Sequence, residues 1–313
     1  MLFHHQCTLA RPVAVSGAAL HSGVGTRVQL HPAGPDTGIV FRRTDLPGAP
    51  TIVAGVQQVG RARLATRLES GAASVVTVEH LLAALSATGI HHVEVHVEGP
   101  ELPILDGSSV PWLRLLRHAG RKAHKEPQPV WRLRNAVSVR DGDRWMRAAP
   151  ACGLLLDVTL DFAQTAIGVQ RVIWRHALGR FRAELGWART FAFLRDVNYM
   201  RSRGLALGGG LDNALVFTET GVLDPAALRT PDEPARHKAL DLLGDLSLLG
   251  APLEARVTAV RPGHALTARL MRAIVDTLIW DDPRHPSEGA VSATVHAMGG
   301  APRSSGTQEG WDE

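Results

Sequence analysis

Residues 236–245 read Arg236-His237-Lys238-Ala239-Leu240-Asp241-Leu242-Leu243-Gly244-Asp245. Apolar positions recur there at helical spacing, Pro234 suits a first turn, and Gly250 supplies a stop. A start near Asp232-Glu233-Pro234 places His237 close to the positive end of the helix dipole, where a neutral imidazole is favoured. His237, Asp241 and Asp245 follow at four-residue intervals and so project from nearly one side. A His and an Asp one turn apart make either half of a zinc site or an ordinary solvated face. The stretch by itself leaves both readings open.

Working outward, a strand is expected over Leu253–Val260 and a helix over Gly263–Trp280. Strand patterns precede the helix at Trp131–Val139, Trp145–Ala149 and Leu154–Leu160. His124–Pro129 is polar and proline-rich and reads as a linker. Before it the same order of strands and then helices appears once already. Strands are expected at Thr26–Leu30 and Gly38–Arg43, and a helix opens at Thr77-Val78-Glu79-His80, with Thr77 as N-cap and Gly89 past its end. Val93, Val95 and Val97 then alternate with His92, Glu94, His96 and Glu98 as on a half-buried strand, and a second helix covers Val110–His118. The order predicts two α+β domains, 1–125 and 126–295, with a tail at 296–313 too rich in Gly, Ser and acidic residues to pack.

The 313 residues are 45% hydrophobic and 20% charged, an ordinary composition for a globular chain long enough for two cores. A net charge of +4 suits an anionic small molecule and is too scattered to argue for nucleic acid. Cys7 and Cys152 have no C-x-x-C spacing, so a zinc site must draw on nitrogen and oxygen ligands. The N-terminus lacks a signal-peptide core, and no apolar run approaches the roughly 18 residues of a membrane span. A cytoplasmic location is expected.

Three further constellations carry chemistry. Glu79-His80, about 100° apart in a first helical turn, could divide labour between base and ligand, or be a dipole-favoured Glu followed by a His. Arg261-Pro262-Gly263-His264 delivers a His into a helix start, as a general acid oriented by a carboxylate such as Asp245 or as a polar turn residue. His92, Glu94 and His96 share a strand face, which is also plausible metal spacing.

Six stretches together carry a resemblance: Thr77–Leu81, Pro103–Ser108, Ala188–Phe193, Gly204–Asp212, Arg236–Asp241 and Gly263–Ala265. In this order they resemble the UDP-3-O-acyl-N-acetylglucosamine deacetylase family, zinc enzymes of lipid A synthesis, over roughly residues 3–285. The resemblance implies two α+β domains, each a sheet with two helices, the helices packed between the sheets. It implies zinc on His80, His237 and Asp241, with water in the fourth position. Glu79 would be the general base and Thr190 an oxyanion donor, with His264, oriented by Asp245, as the imidazolium. Lys238, Arg144 and Arg261 would meet the anionic end of the substrate, and Phe162 would stack on uracil. An insert at about 193–216 would form the acyl passage, using Leu194, Val197, Gly209, Leu211 and Val216 beside Phe191. The expected partner is the acylated UDP-sugar, with a monomeric chain, no nucleic acid, and at most a transient membrane-surface contact on the lipid route. Arg67 departs from the family, standing where some members have cysteine. A zinc amidase for another acylated sugar and a non-catalytic sugar-nucleotide binder are the alternatives. The second has no need of both Glu79 and His264.

Overall fold

A computed structural model describes residues 5–61 and 64–281. Two main sheets enclose the central helices. The first has five strands in the spatial order Val13–Ala18, Gly25–Pro32, Val93–Glu98, Ile39–Arg43, Thr51–Val53. Val93, Val95 and Val97 face the core while Glu94 and His96 face outward, the period of two that the sequence shows. The second has seven strands and is centred on Leu253–Val260. That strand pairs antiparallel with Arg144–Pro150 and parallel with both Leu154–Phe162 and Val130–Leu133.

Six helices lie among the described residues: α1 (Glu79–Thr88), α2 (Val110–Ala119), α3 (Arg180–Glu184), α4 (Leu194–Ser202), α5 (Glu233–Leu246) and α6 (His264–Val275). α1 and α5 pack on each other between the sheets and are buried along nearly their whole length. Helices so placed must be apolar almost all round, and Leu81, Leu82, Leu85, Leu240, Leu242 and Leu243 fill one continuous core. The few polar side chains they carry are therefore conspicuous.

Three local expectations are corrected and one unforeseen strand is added. Thr77 does not cap α1: it takes a left-handed φ of 60° and gives its hydroxyl to Glu101 at 2.8 Å, satisfying a buried carboxylate instead. The segment 124–129 is not a free linker, because Arg121–Pro127 forms a strand against His5–Leu9. The last helix ends at Val275, and Leu278–Asp281 pairs with Val130–Leu133 as an edge strand. Strand Gly168–Arg175 was not expected at all. The tail at 296–313 lies outside the described residues.

Candidate metal centre and its cavity

One close approach sets the site. Gly244 of α5 lies on the first turn of α1, where a Cβ would stand 2.1 Å from the Glu79 carbonyl oxygen. Only glycine permits this contact, and it brings His80 on α1 opposite His237 and Asp241 on α5.

One ligand atom from each of His80, His237 and Asp241 lies within 4.8 Å of the others, and all three residues are buried. His80 Nε2 is 3.7 Å and His237 Nε2 3.3 Å from Asp241 Oδ1. That oxygen is buried with no hydrogen-bond partner, a costly state for a carboxylate unless a cation completes it. His237 Nδ1 lies 3.1 Å from the Ala188 carbonyl, which fixes its proton there and turns the Nε2 lone pair toward the site. Burial drives the His237 pKa down to about 3 and lowers that of His80, so both rings are neutral. Burial opposes the Asp241 carboxylate, yet His237 and Lys238 hold its pKa below the usual range. Lys238 Nζ donates to Asp241 Oδ2 at 2.8 Å. Two neutral imidazoles and a carboxylate with a spare oxygen are a donor set that fits zinc.

Next to them stands a second buried cluster. Glu79 Oε1 is 3.7 Å from His264 Nε2, and His264 Nδ1 is 2.9 Å from Asp245 Oδ2. Burial, against the pull of His264 and with the push of Asp241 and Asp245, raises the Glu79 pKa to about 7. Burial also works against the His264 imidazolium, but Asp245 and Glu79 outweigh it and raise its pKa to about 9. Thr66, absent from the expected set, joins this cluster through its backbone N–H to Glu79 Oε2 at 3.1 Å and its hydroxyl to Asp245 Oδ1 at 2.5 Å.

Backbone strain accompanies these motifs. Thr77, Leu105 and Arg261 are non-glycine residues at φ of 60°, 56° and 52°. Each lies within three residues of Glu79, Ser108 or His264, where a bent backbone aims the following side chains. Gly107 takes φ 77° and has no room for a Cβ, since the Asn213 carbonyl oxygen would lie 1.8 Å away. Its own carbonyl accepts the Thr190 N–H at 2.9 Å, which fixes Thr190 at the edge of the site.

A cavity of about 1140 Å³ runs from Lys238 and Thr190 along α4 and the glycine turn 208–210. Phe162, Phe191, Leu194, Val197, Gly209, Leu211 and Val216 all line it. The turn is clamped to the first half of the chain by Gly208 N–H to the Leu20 carbonyl and Leu207 N–H to that of His21. Lys238 Nζ sits 5.5 Å from the Phe191 ring centroid. Arg144 and Arg261 do not line this cavity. Arg261 pairs with Asp143, and Arg144 lies beside Gly263, near a small hollow bounded by Lys238, Asp241 and His264. His96 bonds Glu94 at 3.2 Å on the outer sheet face and His92 faces the Gly38 N–H at 2.8 Å, so that trio does not converge. Among the described residues, His80, His237 and Asp241 form the one such group.

A family model for UDP-3-O-acyl N-acetylglycosamine deacetylase (LpxC) matches residues 6–276. The chain is 42% identical over 272 residues to UDP-3-O-acyl-N-acetylglucosamine deacetylase of Myxococcus xanthus (strain DK1622), covering 87% of each protein. It is 44% identical over 269 residues to the protein of that name from Thermosynechococcus vestitus, covering 86% of this chain and 93% of the relative. A third of that name, from Anaeromyxobacter sp. (strain Fw109-5), is 43% identical over 277 residues, covering 88% and 90%.

Proposed function

The chain belongs to the UDP-3-O-acyl N-acetylglycosamine deacetylase family, and on that premise we propose that it removes acetate from a UDP-linked, 3-O-acylated N-acetylglucosamine in lipid A synthesis. The observation that carries the reading is the buried, partnerless Asp241 Oδ1 between His80 and His237, directly beside the Glu79–His264 pair. A binding protein has no use for a base and an acid at a cation site.

His80, His237 and Asp241 are the residues that hold zinc in this reading. When bound, zinc supplies a Lewis acid that polarises the amide carbonyl and acidifies water. Glu79, raised to about 7, takes the proton from the attacking water. The tetrahedral oxyanion receives the Thr190 hydroxyl as a donor. His264, raised to about 9, is an imidazolium at neutral pH and steadies the same negative charge. It is also placed to give its Nε2 proton to the leaving amine, regenerating the neutral ring, unless Glu79 returns the proton it took. Asp245 keeps the other ring nitrogen protonated. The substrate's acyl chain lies in the cavity along α4, and Lys238, Arg144 and Arg261 meet its anionic end, with Phe162 against the uracil.

The reading includes a two-domain chain divided near residue 125 that acts as a cytoplasmic monomer. Among the described residues no helix is long and apolar enough to cross a membrane. The test is acetate release from the acylated UDP-sugar with and without a chelator. Activity indifferent to exhaustive chelation rejects the metal-dependent reading, and no release by zinc-loaded protein rejects the substrate.

A further inference from the structure

Thr66 touches every group assigned to proton handling, yet no assigned role includes it. Its backbone N–H donates to Glu79 Oε2 at 3.1 Å, its hydroxyl donates to Asp245 Oδ1 at 2.5 Å, and the same Oγ1 lies 2.9 Å from His264 Nδ1. Its carbonyl accepts the Thr77 N–H at 3.0 Å, which ties the residue to the turn leading into α1. Thr66 is 2% exposed, so water does not compete for these contacts.

The donor inventory admits one arrangement for a protonated His264. A hydroxyl has one proton and two lone pairs. Asp245 is acceptor only, so the Thr66 proton goes to its Oδ1 and a lone pair of Oγ1 faces His264. The Nδ1–H of His264 is then shared between Asp245 Oδ2 and Thr66 Oγ1, both at 2.9 Å. With Nδ1–H held on two acceptors, the ring cannot rotate about its Cα–Cβ–Cγ bonds without breaking both, and Nε2 stays aimed at Glu79. The backbone N–H meanwhile occupies one oxygen of Glu79 and leaves Oε1 on the side of His264.

We propose that Thr66 is a positioning residue of this hydrolase, its hydroxyl closing a three-membered ring with Asp245 and His264 while its N–H orients the Glu79 carboxylate. The inference rests on the deacetylase reading above. It does not make Thr66 a catalytic residue, since no contact with substrate is required of it.

The experiment is a double-mutant cycle on the zinc-loaded enzyme. Thr66→Val keeps the shape and the N–H and removes the hydroxyl; kcat should fall roughly tenfold to a hundredfold, as for loss of a residue that orients a functional side chain, with KM and zinc content unchanged. Thr66→Ser should restore most of kcat. In a His264→Ala background Thr66→Val should add no further loss, because the hydroxyl acts only through the missing ring. In proton NMR of the metal-free protein, the sheltered His264 Nδ1–H should resonate far downfield in wild type and be lost to exchange in Thr66→Val. Thr66→Ala repeats the cycle if the valine variant does not fold. Wild-type kcat without the hydroxyl, losses that multiply with His264→Ala, or a serine variant as poor as valine each overturn the proposal. A wild type silent on the acylated UDP-sugar instead overturns the functional reading, which separates the two failures.

Discussion

Gly244 and the carbonyl oxygen of Glu79 are in such close contact that α5 could not lie where it does with any side chain at position 244. Alanine there would gain about 1 kcal/mol of helix propensity, and in an exposed helix would stabilise it. In this position the added methyl forces the two helices apart, an overpacking cost of about 1–3 kcal/mol that exceeds the gain. Gly244→Ala should therefore lower the denaturation midpoint and weaken zinc retention together, because the same displacement separates His80 from His237. Greater stability in the variant would show that the helices do not meet as described.

Purified protein should carry about one tightly held zinc, measurable by elemental analysis. His237→Ala should lose it, and Asp241→Asn should weaken it, since an amide oxygen is a poorer ligand than a carboxylate. Stoichiometric zinc in His237→Ala would reject this ligand set.

Glu79→Gln and His264→Ala should each leave fold and metal content intact and cut kcat by about 10²–10⁴-fold. The pH profile should be a bell. Its acid limb belongs to Glu79, which must be deprotonated and titrates at or below about 7 once a cation joins its surroundings. Wild-type rates in both variants would remove the acid–base assignment.

The basic limb belongs to His264, raised to about 9 from an ordinary 6.5. With the folded value above the unfolded one, the stability this group contributes is complete below 6.5 and is lost as pH rises through about 9. Asp245→Asn removes the carboxylate that chiefly raises it. The stability gap between metal-free wild type and that variant should shrink across the same window, and the basic limb of kcat should move to lower pH. An unchanged gap on both sides of the window would contradict the pairing.

Each methylene buried in the cavity along α4 contributes about 0.8 kcal/mol, so kcat/KM should rise steeply with acyl length. Gly209 lines that cavity with the Leu20 side chain 3.4 Å from a Cβ placed there. Gly209→Phe should therefore discriminate against long chains while retaining zinc. The same length dependence in both proteins would put the acyl chain elsewhere.

Much of this was legible from the sequence because local signals and burial agree. Leu253–Val260 alternates without interruption and is a strand with those bounds. Glu233–Leu246 carries its proline in the first turn, is followed by the 3-10 turn Ser247–Leu249 and stops at Gly250. Strand Gly168–Arg175 escaped because Val169 and Ile173 face solvent while Val172 and Trp174 face the core, which erases the alternation. The helical expectation overruns to Trp280 because Leu278, Ile279 and Trp280 continue the apolar spacing of α6. At the site, His80, His237 and Asp241 fall in recognisable motifs, and the structure brings them together. Thr66 had no such signal, because its partners Asp245 and His264 lie 179 and 198 residues away. Gly244 was visible only as an unfavourable residue inside a helix, and its reason is on another helix.

The central strand of the seven-stranded sheet, Leu253–Val260, is also the last but one of that sheet's strands to be synthesised. Until it emerges, Arg144–Pro150 and Leu154–Phe162 have no common neighbour and present open edges carrying apolar side chains. Folding of this half is thus non-local and late, with a window in which self-association competes with closure. A nascent chain stalled before residue 253 has the α5 ligands in hand but lacks the strand that joins the two parts of the second sheet. Truncation just upstream of that strand is accordingly where aggregation during synthesis should be greatest.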